Sequence, residues 1–372
     1  MKCFAVIGAG FGDEGKGLVV DWLCSKSKNP LVIRFCGGHQ AGHQVVTENG
    51  HHHVFSNFGS GTFRGAPTYW SEYCTVDPIG IMNELKLLKY NSPLLYINAK
   101  CPVTTPFDIR ANLNSSKING HGSCGVGVRT TYKREEDHYS LLFEDLYNPA
   151  IFRIKLRSIC DYYNDKMQNL SQFMTDVADL RRSQCVRISD SVPLYNIKTI
   201  IFEGSQGLLL DQNFGFFPHV TPSNTGTKNI LEMGFTPEIF LVTRAYQTRH
   251  GNGPMTNEEL PHSIMENPHE KNSSSSYQGE FRRTLLDINL LEHGINKDKF
   301  IKNDKKKNLV ITCLDLVQSD HRLTVDGEII NCFDEKDFIS KIDTFLNVKN
   351  IYLSRSPIAT GIIKHSPNKI RE

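Results

Sequence analysis

The chain has 372 residues, and its 42 Lys and Arg against 40 Asp and Glu give a formal net charge of +2 at pH 7. Because charges of both signs are interspersed, the composition argues against a nucleic-acid partner. Ten cysteines without paired spacing indicate reduced thiols, and no apolar stretch approaches the roughly 18 residues of a membrane span, so we expect a soluble, cytoplasmic protein.

Short apolar runs, taken in chain order, predict strands at residues 3–8, 31–35, 199–203, 238–243, 308–314 and 350–353. Such near-continuous hydrophobic runs are typical of strands buried on both faces. They predict an α/β fold with a large, mostly parallel central sheet and helices on both faces. Helical spacing of apolar residues predicts a helical excursion at about residues 149–185. The serine-rich stretch at about residues 265–281 predicts a mobile loop within one domain spanning residues 1–372.

A glycine-rich turn follows the first predicted strand. From Gly10 the pattern Gly-x-x-x-x-Gly-Lys of a phosphate-binding loop is complete at Lys16, but Gly17 stands where Ser or Thr should bind magnesium. The metal-binding oxygen must therefore come from elsewhere, and Asp13 within the loop is the nearest candidate. A carboxylate among N–H groups that attract anions is unfavourable, which indicates that Asp13 has a chemical role.

Two other interpretations of this turn are weaker. Gly10-x-Gly12-x-x-Gly15 also matches the dinucleotide fingerprint, which requires an acidic residue at the end of the second strand. The second predicted strand ends instead in Cys36 and two glycines. A purely structural turn would not need four glycines and a lysine.

A second cluster, Gly-Gly-His-Gln-Ala-Gly-His at residues 37–43, follows the second predicted strand. Ligands of open α/β sheets bind at the carboxyl ends of strands, so this cluster and the phosphate loop should face one crevice. We predict that His43 transfers protons, since histidine titrates nearest to neutrality. A zinc site is the alternative, but glycines disfavour a helix here and Gln40 replaces the expected glutamate. Residues 51–53, three histidines after Asn-Gly, predict a hairpin with surface imidazoles.

Seven segments in order along nearly the whole chain resemble the adenylosuccinate synthetase family. They are residues 12–17, 37–43, 202–211 (Phe-Glu-Gly-Ser-Gln-Gly-Leu-Leu-Leu-Asp), 220–225, 245–254, 312–315 and 353–357. The resemblance implies a ligase that joins L-aspartate to C6 of a 6-oxopurine nucleotide. In this family an aspartate removes the N1 proton and meets Mg2+, and O6 attacks the γ-phosphorus of GTP. Aspartate then displaces the phosphate of the 6-phosphoryl intermediate.

The resemblance also implies residue roles. The catalytic residues would be Asp13, Lys16, His43 and Gln206, and the Mg2+ ligands Asp13 and Gly42. The nucleoside triphosphate would contact Gly12, Glu14, Gly15, Lys16, Gly17, Gln44, Asp315, Ser354, Ser356 and Pro357. The acceptor nucleotide would contact Asp13, Gln40, Ser123, Cys124, Arg134, Gln206, Leu210, Thr221 and Gly251. L-Aspartate would contact Gln278, Gly279, Arg282 and Arg283. A homodimer is implied as well, in which Arg129 or Arg134 reaches the partner's nucleotide.

Several positions depart from the family pattern. Cys313 replaces a lysine, Gln44 and Cys124 replace threonines, Leu18 replaces a lysine and Glu280 replaces an arginine. These changes weaken the expectation of strict GTP use and resemble a divergent phage branch that accepts dGMP and uses ATP or dATP. That branch often lacks the loop aspartate, which is present here as Asp13. IMP remains the expected acceptor with dGMP as the alternative, and a nucleotide-binding regulator without ligase activity is the rival class.

Overall fold

A computed structural model describes residues 1–88, 91–119, 124–270, 279–318 and 320–366. The strands are β1 Lys2–Gly8, β2 Pro30–Arg34, β3 His43–Val46, β4 His52–Phe55, β5 Thr68–Trp70, β6 Leu95–Asn98, β7 Val186–Ser189, β8 Thr199–Gly207, β9 Glu238–Arg244, β10 Gln247–His250, β11 Phe281–Thr284, β12 Leu286–Asp287, β13 Asn308–Thr312, β14 Arg322–Val325, β15 Glu328–Asn331, β16 Asn350–Leu353 and β17 Ile363–Lys364. The helices are α1 Lys16–Ser25, α2 Pro78–Leu87, α3 Pro106–Asn119, α4 Val128–Glu136, α5 Pro149–Tyr162, α6 Ser171–Arg182, α7 Lys228–Glu232, α8 Ile288–Lys297, α9 Lys299–Asn303 and α10 Glu335–Leu346.

Ten strands form the central sheet in the order β17-β16-β13-β9-β1-β8-β2-β5-β6-β7. Neighbouring strands are parallel from β16 to β7, and β17 pairs antiparallel with β16. The predicted fold class is confirmed, and all six apolar runs predicted as strands lie in this sheet as β1, β2, β8, β9, β13 and β16. The short strands β5, β6 and β7 were not predicted.

Side chains of the central strands pack alternately into cores on the two faces of the sheet. Ile7 and Leu241 belong to one buried cluster, whereas their chain neighbours Val6 and Val242 belong to another. Burying each such side chain contributes about 1.5–3 kcal/mol. Both faces are therefore covered, as the hydrophobic runs predict.

The helical periodicity of residues 149–182 corresponds to α5 and α6. Helix α5 begins at Pro149 after Asn148, whose side chain accepts hydrogen bonds from the next two free N–H groups. Phe152 and Phe173, one from each helix, pack in a third buried cluster with side chains of β5 and β6. Within the described residues, no helix is long and apolar enough to cross a membrane.

The parallel arrangement brings the carboxyl ends of β1, β2, β8, β9, β13 and β16 to one edge of the sheet. The predicted hairpin is confirmed, since β3 pairs antiparallel with β4 across the Asn49-Gly50 turn. His51 and His52 are exposed as predicted, but His53 is not a surface imidazole, because its Nε2 lies 3.1 Å from Oε1 of the buried Glu84. Residues 271–278 of the expected mobile loop at residues 265–281 lie outside the described residues.

Candidate active site

The phosphate loop connects β1 to α1 at the centre of the sheet. Gly12, Asp13 and Gly15 have positive φ angles of 95°, 57° and 94°. Helix α1 follows Gly15, and no described side chain caps its first N–H groups. These groups are available to an anion, which the helix dipole also favours.

Packing explains the glycine at position 17. A Cβ atom built on Gly17 would lie 3.0 Å from the carbonyl oxygen of Gln44 and 3.0 Å from Cβ of His43. The β3–β4 hairpin therefore occupies the space that a Ser or Thr side chain would need. This close approach brings His43 next to the phosphate loop.

Glu14 and Lys16 are both buried within the loop. Lys16 Nζ lies 3.5 Å from Glu14 Oε2, and the other carboxylate oxygen of Glu14 accepts a hydrogen bond from the backbone N–H of Gly10. Burial raises the pKa of Glu14, although Lys16 opposes this shift. Glu14 thus helps to hold the turn, in addition to facing the cavity described below.

His43 is buried and bonded to a carboxylate that the sequence did not single out. Its Nδ1 lies 2.7 Å from Glu203 Oε1. Burial lowers the pKa of His43, although Glu203 opposes this shift. Burial would raise the pKa of Glu203, but the charge and hydrogen bond of His43, with Arg34 and Ser60, hold it at about 2. We interpret the pair as an ionised Glu203 beside a neutral imidazole, because burial disfavours a second charge.

Three polar atoms of predicted site residues are buried without a hydrogen-bond partner among the described residues: Nε2 of His43, Oε1 of Gln40 and Oε1 of Gln206. All three residues line the same cavity. Buried polar groups are normally hydrogen-bonded, and an unpaired group costs about 1–3 kcal/mol. Their shared location indicates a polar ligand.

A cavity of about 510 Å³ at the carboxyl edge of the sheet brings most predicted site residues together. This volume is typical of a small-molecule site. The predicted residues in its lining are Gly12, Asp13, Glu14, Gly15, Lys16, Gly17, Gln40, Gly42, His43, Gln44, Cys124, Gln206, Leu210, Asp315, Ser356 and Pro357.

Asp315, in the turn after β13, lines the cavity together with Ser356 and Pro357. Burial raises the pKa of its carboxyl. Ser354 is buried and donates its hydroxyl to the carbonyl of Ser356 at 2.8 Å, so it shapes this turn rather than lining the cavity.

The prediction for Arg134 is contradicted. The side chain of Arg134 is 0% exposed. Its Nε lies 2.9 Å from Oδ1 of Asp108, and its Nη2 donates a hydrogen bond to the carbonyl of Val103. A guanidinium held in the interior cannot reach a nucleotide of another subunit. Arg129 is exposed and donates to the carbonyl of Val220.

The structure does not bring Arg282 and Arg283 to the cavity. Nη1 of Arg282 lies 2.6 Å from Oε1 of Glu258, and Nη2 of Arg283 lies 3.4 Å from Oε1 of Glu266. Gly251, Gly279 and Thr221 also lie outside the lining, although Thr221 N donates to the carbonyl of Leu210, which lines it. Ser123 and Gln278 lie outside the described residues.

Residues 267–270, from the loop predicted at residues 265–281, also line the cavity, whereas Ser205, Arg244, His250 and Thr312 line it without having been assigned a role from the sequence. Arg244 is the most informative of them, because it ends β9 directly before the 245–254 segment. Its position at a strand end was a signal that could have identified it.

The predicted magnesium ligands Asp13 and Gly42 line the same cavity. Across the described ranges, no three His, Cys, Asp or Glu side chains form a group that could hold a metal. The carboxylate of Asp13 and the carbonyl of Gly42 nevertheless fit Mg2+, which usually binds one or two carboxylates together with substrate phosphates and water. His39 and His43 bond instead to Val126 O and Glu203, which argues against the zinc alternative.

The parallel sheet, with a glycine-rich loop at the carboxyl end of its central strand β1, defines an α/β protein of the phosphate-loop class. Residues 5–356 match the family model of adenylosuccinate synthetase, and the chain belongs to that family.

Curated relatives of similar sequence belong to the same family. The adenylosuccinate synthetase of Psychromonas ingrahamii is 31% identical over 279 residues, which cover 68% of this chain and 63% of that protein. That of Pseudoalteromonas atlantica is 32% identical over 288 residues, which cover 69% of this chain and 65% of that protein. The chain thus spans slightly less than two thirds of the length of these relatives.

Two solved structures share the fold. The fully ligated adenylosuccinate synthetase from Plasmodium falciparum has a TM-score of 0.77 at 20% identity and covers 98% of this chain and 99% of its own. Succinoaminodeoxyadenylate synthetase (PurZ) of cyanophage S-2L, bound to dGMP and dATP, has a TM-score of 0.64 at 16% identity. The match covers 98% of this chain and 96% of the PurZ chain.

Proposed function

We propose that the protein is a C–N ligase that joins L-aspartate to C6 of a 6-oxopurine nucleotide, with IMP as the acceptor and GTP as the phosphate donor. One observation carries this proposal. Asp13, Lys16, His43 and Gln206 line a single cavity, and the latter two present buried polar atoms without partners among the described residues. Family membership supports the same reaction.

The first step activates the purine. Asp13 accepts the proton from N1, O6 attacks the γ-phosphorus, and the bond to the β,γ-bridging oxygen breaks. Lys16 and the N–H groups of the loop stabilise the charge on the transferring phosphoryl group, because such transfer depends mainly on positioning and charge neutralisation. His43 takes up a proton at Nε2 when the charged phosphates bind and donates it in a hydrogen bond to the γ-phosphate, and Gln206 orients the purine by hydrogen bonding.

The second step forms the C–N bond. The amine of L-aspartate attacks C6, the phosphate on O6 leaves with the electron pair of the C–O bond, and the amine nitrogen releases one proton to water. Phosphorylation is required because the oxygen of a lactam is a poor leaving group. Bound Mg2+, held by Asp13 and the carbonyl of Gly42, would neutralise phosphate charge. Arg282 and Arg283 would bind the aspartate carboxylates after exchanging their present carboxylate partners.

We also propose a homodimer in which Arg129, rather than Arg134, contacts the nucleotide of the neighbouring subunit. Arg129 is exposed, and its Nη2 donates to the carbonyl of Val220, so its guanidinium has further donors for a phosphate. Sedimentation analysis with and without IMP would test the assembly.

The test of the reaction is a substrate matrix. The protein is incubated with L-aspartate and Mg2+ and with each pairing of IMP, GMP or dGMP with GTP or ATP, and products are read by absorbance and mass. A succinyl-nucleotide from IMP and GTP is expected. Product from dGMP alone would overturn the IMP assignment, and the absence of product in every pairing would overturn the ligase.

The Asp13→Asn variant separates an enzyme from a nucleotide-binding regulator. A ligase should lose turnover by about two or more orders of magnitude, since removal of a general base commonly costs 10²–10⁴-fold. A regulator should keep or gain nucleotide affinity, because a charge that repels phosphate is removed.

A further inference from the structure

Glu203 occupies an unusual position for a carboxylate. It lies within the central strand β8, directly opposite Arg34 of β2 in the register, and both side chains are 0% exposed. Buried charges are costly unless they are paired and hydrogen-bonded. A charge pair at the centre of the sheet, next to the cavity, therefore requires an explanation.

The contacts of Glu203 lead to His43. Oε1 accepts from Nδ1 of His43 at 2.7 Å and from the hydroxyl of Ser60, and Oε2 accepts from the backbone N–H of Ser60 at 3.2 Å. Both carboxylate oxygens are thus engaged. The carboxylate can only accept, so the hydrogen shared with His43 must belong to Nδ1.

Arg34 balances the charge. Its Nη2 donates to Ser205 Oγ at 3.3 Å, and its guanidinium lies 5.3 Å from the centroid of the Trp70 ring. Nε and Nη1 are buried and have no hydrogen-bond partner in the described parts of the chain. Arg34 therefore acts on Glu203 as a nearby buried cation rather than as a hydrogen-bonded partner.

A proton on Nδ1 determines what the other ring nitrogen can do. In the neutral imidazole, Nε2 then carries a lone pair, and Nε2 belongs to a residue that lines the cavity. Partners on one nitrogen of a functional histidine commonly fix its tautomer and ring orientation. The same logic applies here without a metal on the histidine.

We propose that Glu203 is a positioning residue that holds the imidazole of His43 in one tautomer and one orientation, with Arg34 compensating its charge. This inference rests on the proposed function, in which His43 acts on the γ-phosphate. Glu203 touches no substrate in this scheme and acts only through His43. The competing explanation is structural, with Glu203 serving to tie Ser60 to β8.

A double-mutant cycle distinguishes the two explanations. Glu203→Gln keeps the shape of the side chain and removes its charge. We expect kcat to fall about 10- to 100-fold, as is common for residues that orient a functional histidine, while KM for the nucleotides changes less than about twofold. In a His43→Asn background the same substitution should lower kcat no further, because its effect passes through His43. An equal loss in both backgrounds overturns the proposal.

Ser60→Ala is the matched control. It removes a hydrogen bond to the same carboxylate but leaves the carboxylate and His43 in place. A loss of kcat below about threefold supports the positioning role, whereas a loss equal to that of E203Q would mean that packing around Ser60 matters and would overturn it. If E203Q does not fold, Glu203→Asp withdraws the carboxylate from Nδ1 and is judged by the same cycle.

A spectroscopic measurement needs no turnover and so separates this inference from the proposed ligase activity. Long-range 1H–15N correlation spectra of the ligand-free protein should show His43 protonated at Nδ1, and E203Q should raise the population protonated at Nε2. A wild-type protein with the proton on Nε2 would overturn the positioning role even if the ligase is active. A protein without ligase activity but with the expected tautomer would overturn only the proposed function.

Discussion

Nε of Arg244 donates a hydrogen bond of 2.5 Å to the carbonyl oxygen of Asp13. The contact joins the last residue of β9 to the phosphate loop at a non-glycine residue with a φ of 57°. A left-handed conformation costs roughly 1–2 kcal/mol for residues other than glycine, so it must be held by its surroundings. The guanidinium also lies over the rings of Tyr246 and Phe281 and pairs with Glu270 at 2.9 Å.

Arg244→Lys should therefore disturb the site more than the fold. Lysine keeps the charge but cannot provide the Nε donor and the planar stacking at once. We expect kcat to fall about tenfold, the cost of one hydrogen bond near 1.4 kcal/mol, with little change in Tm. Arg322→Lys is the control, since Arg322 pairs with Asp320 away from the cavity. Similar kinetics of the two variants would contradict the role of Arg244.

Restoring the hydroxyl of an ordinary phosphate loop should harm this protein. In Gly17→Ser the added Cβ would meet the carbonyl of Gln44 and Cβ of His43 at 3.0 Å. Overpacking of this kind typically costs about 1–3 kcal/mol, so both Tm and kcat should fall. Gly17→Ala adds the same Cβ without the hydroxyl and should behave alike. A G17S variant more active than wild type would show that the hairpin can move and that this steric explanation is wrong.

The pairing of Arg282 with Glu258 predicts an effect on the affinity for aspartate. If Arg282 binds a substrate carboxylate, Glu258 competes for it. Exposed ion pairs are worth about 0.2–1 kcal/mol, so Glu258→Gln should lower KM for L-aspartate by roughly 1.5- to 5-fold and leave KM for the nucleotides unchanged. Glu259→Gln, an exposed neighbour, is the matched control. A higher KM in E258Q would instead indicate that Glu258 positions Arg282.

The pKa of Glu203 predicts a contribution to acid stability. It is about 2 in the folded protein, below the ordinary value of 4.5, so the folded state keeps this carboxylate ionised where the unfolded state takes up a proton. The stabilisation is complete above pH 4.5 and is lost as the pH falls toward 2. The difference in Tm between wild type and Glu203→Gln should thus shrink from pH 6 to pH 3, as measured by calorimetry. A difference that grows over this range would contradict the depressed pKa.

Prediction from the sequence succeeded where a feature is local. The buried strands β1, β2, β8, β9, β13 and β16 each carry enough apolar residues to be recognised. Strands β5, β6 and β7 have only three or four residues, and their pairing depends on neighbours distant in the chain. The tight turns at Gly12 and Gly15 were also apparent, because glycine tolerates the positive φ angles found there.

It failed where the outcome depends on which way a long side chain turns. Arg134 was expected at the nucleotide, but its guanidinium points into the interior toward Asp108. Arg244 and Glu203 were not singled out, because each lies in an apolar strand and gains its role from a partner more than 150 positions away.

The order of motifs along the chain specifies the family, the parallel sheet and the phosphate loop, because hydrophobic runs and glycine turns are properties of consecutive residues. The motifs do not specify which charged side chains pair with one another around the phosphate loop. The pairing of Glu203 with His43 and the contact of Arg244 with Asp13 arise only when strands β8 and β9 flank β1 and the hairpin packs on α1, and Arg134 is buried only where α4 packs against α3. Such contacts depend on distances in space that no local pattern of residues encodes.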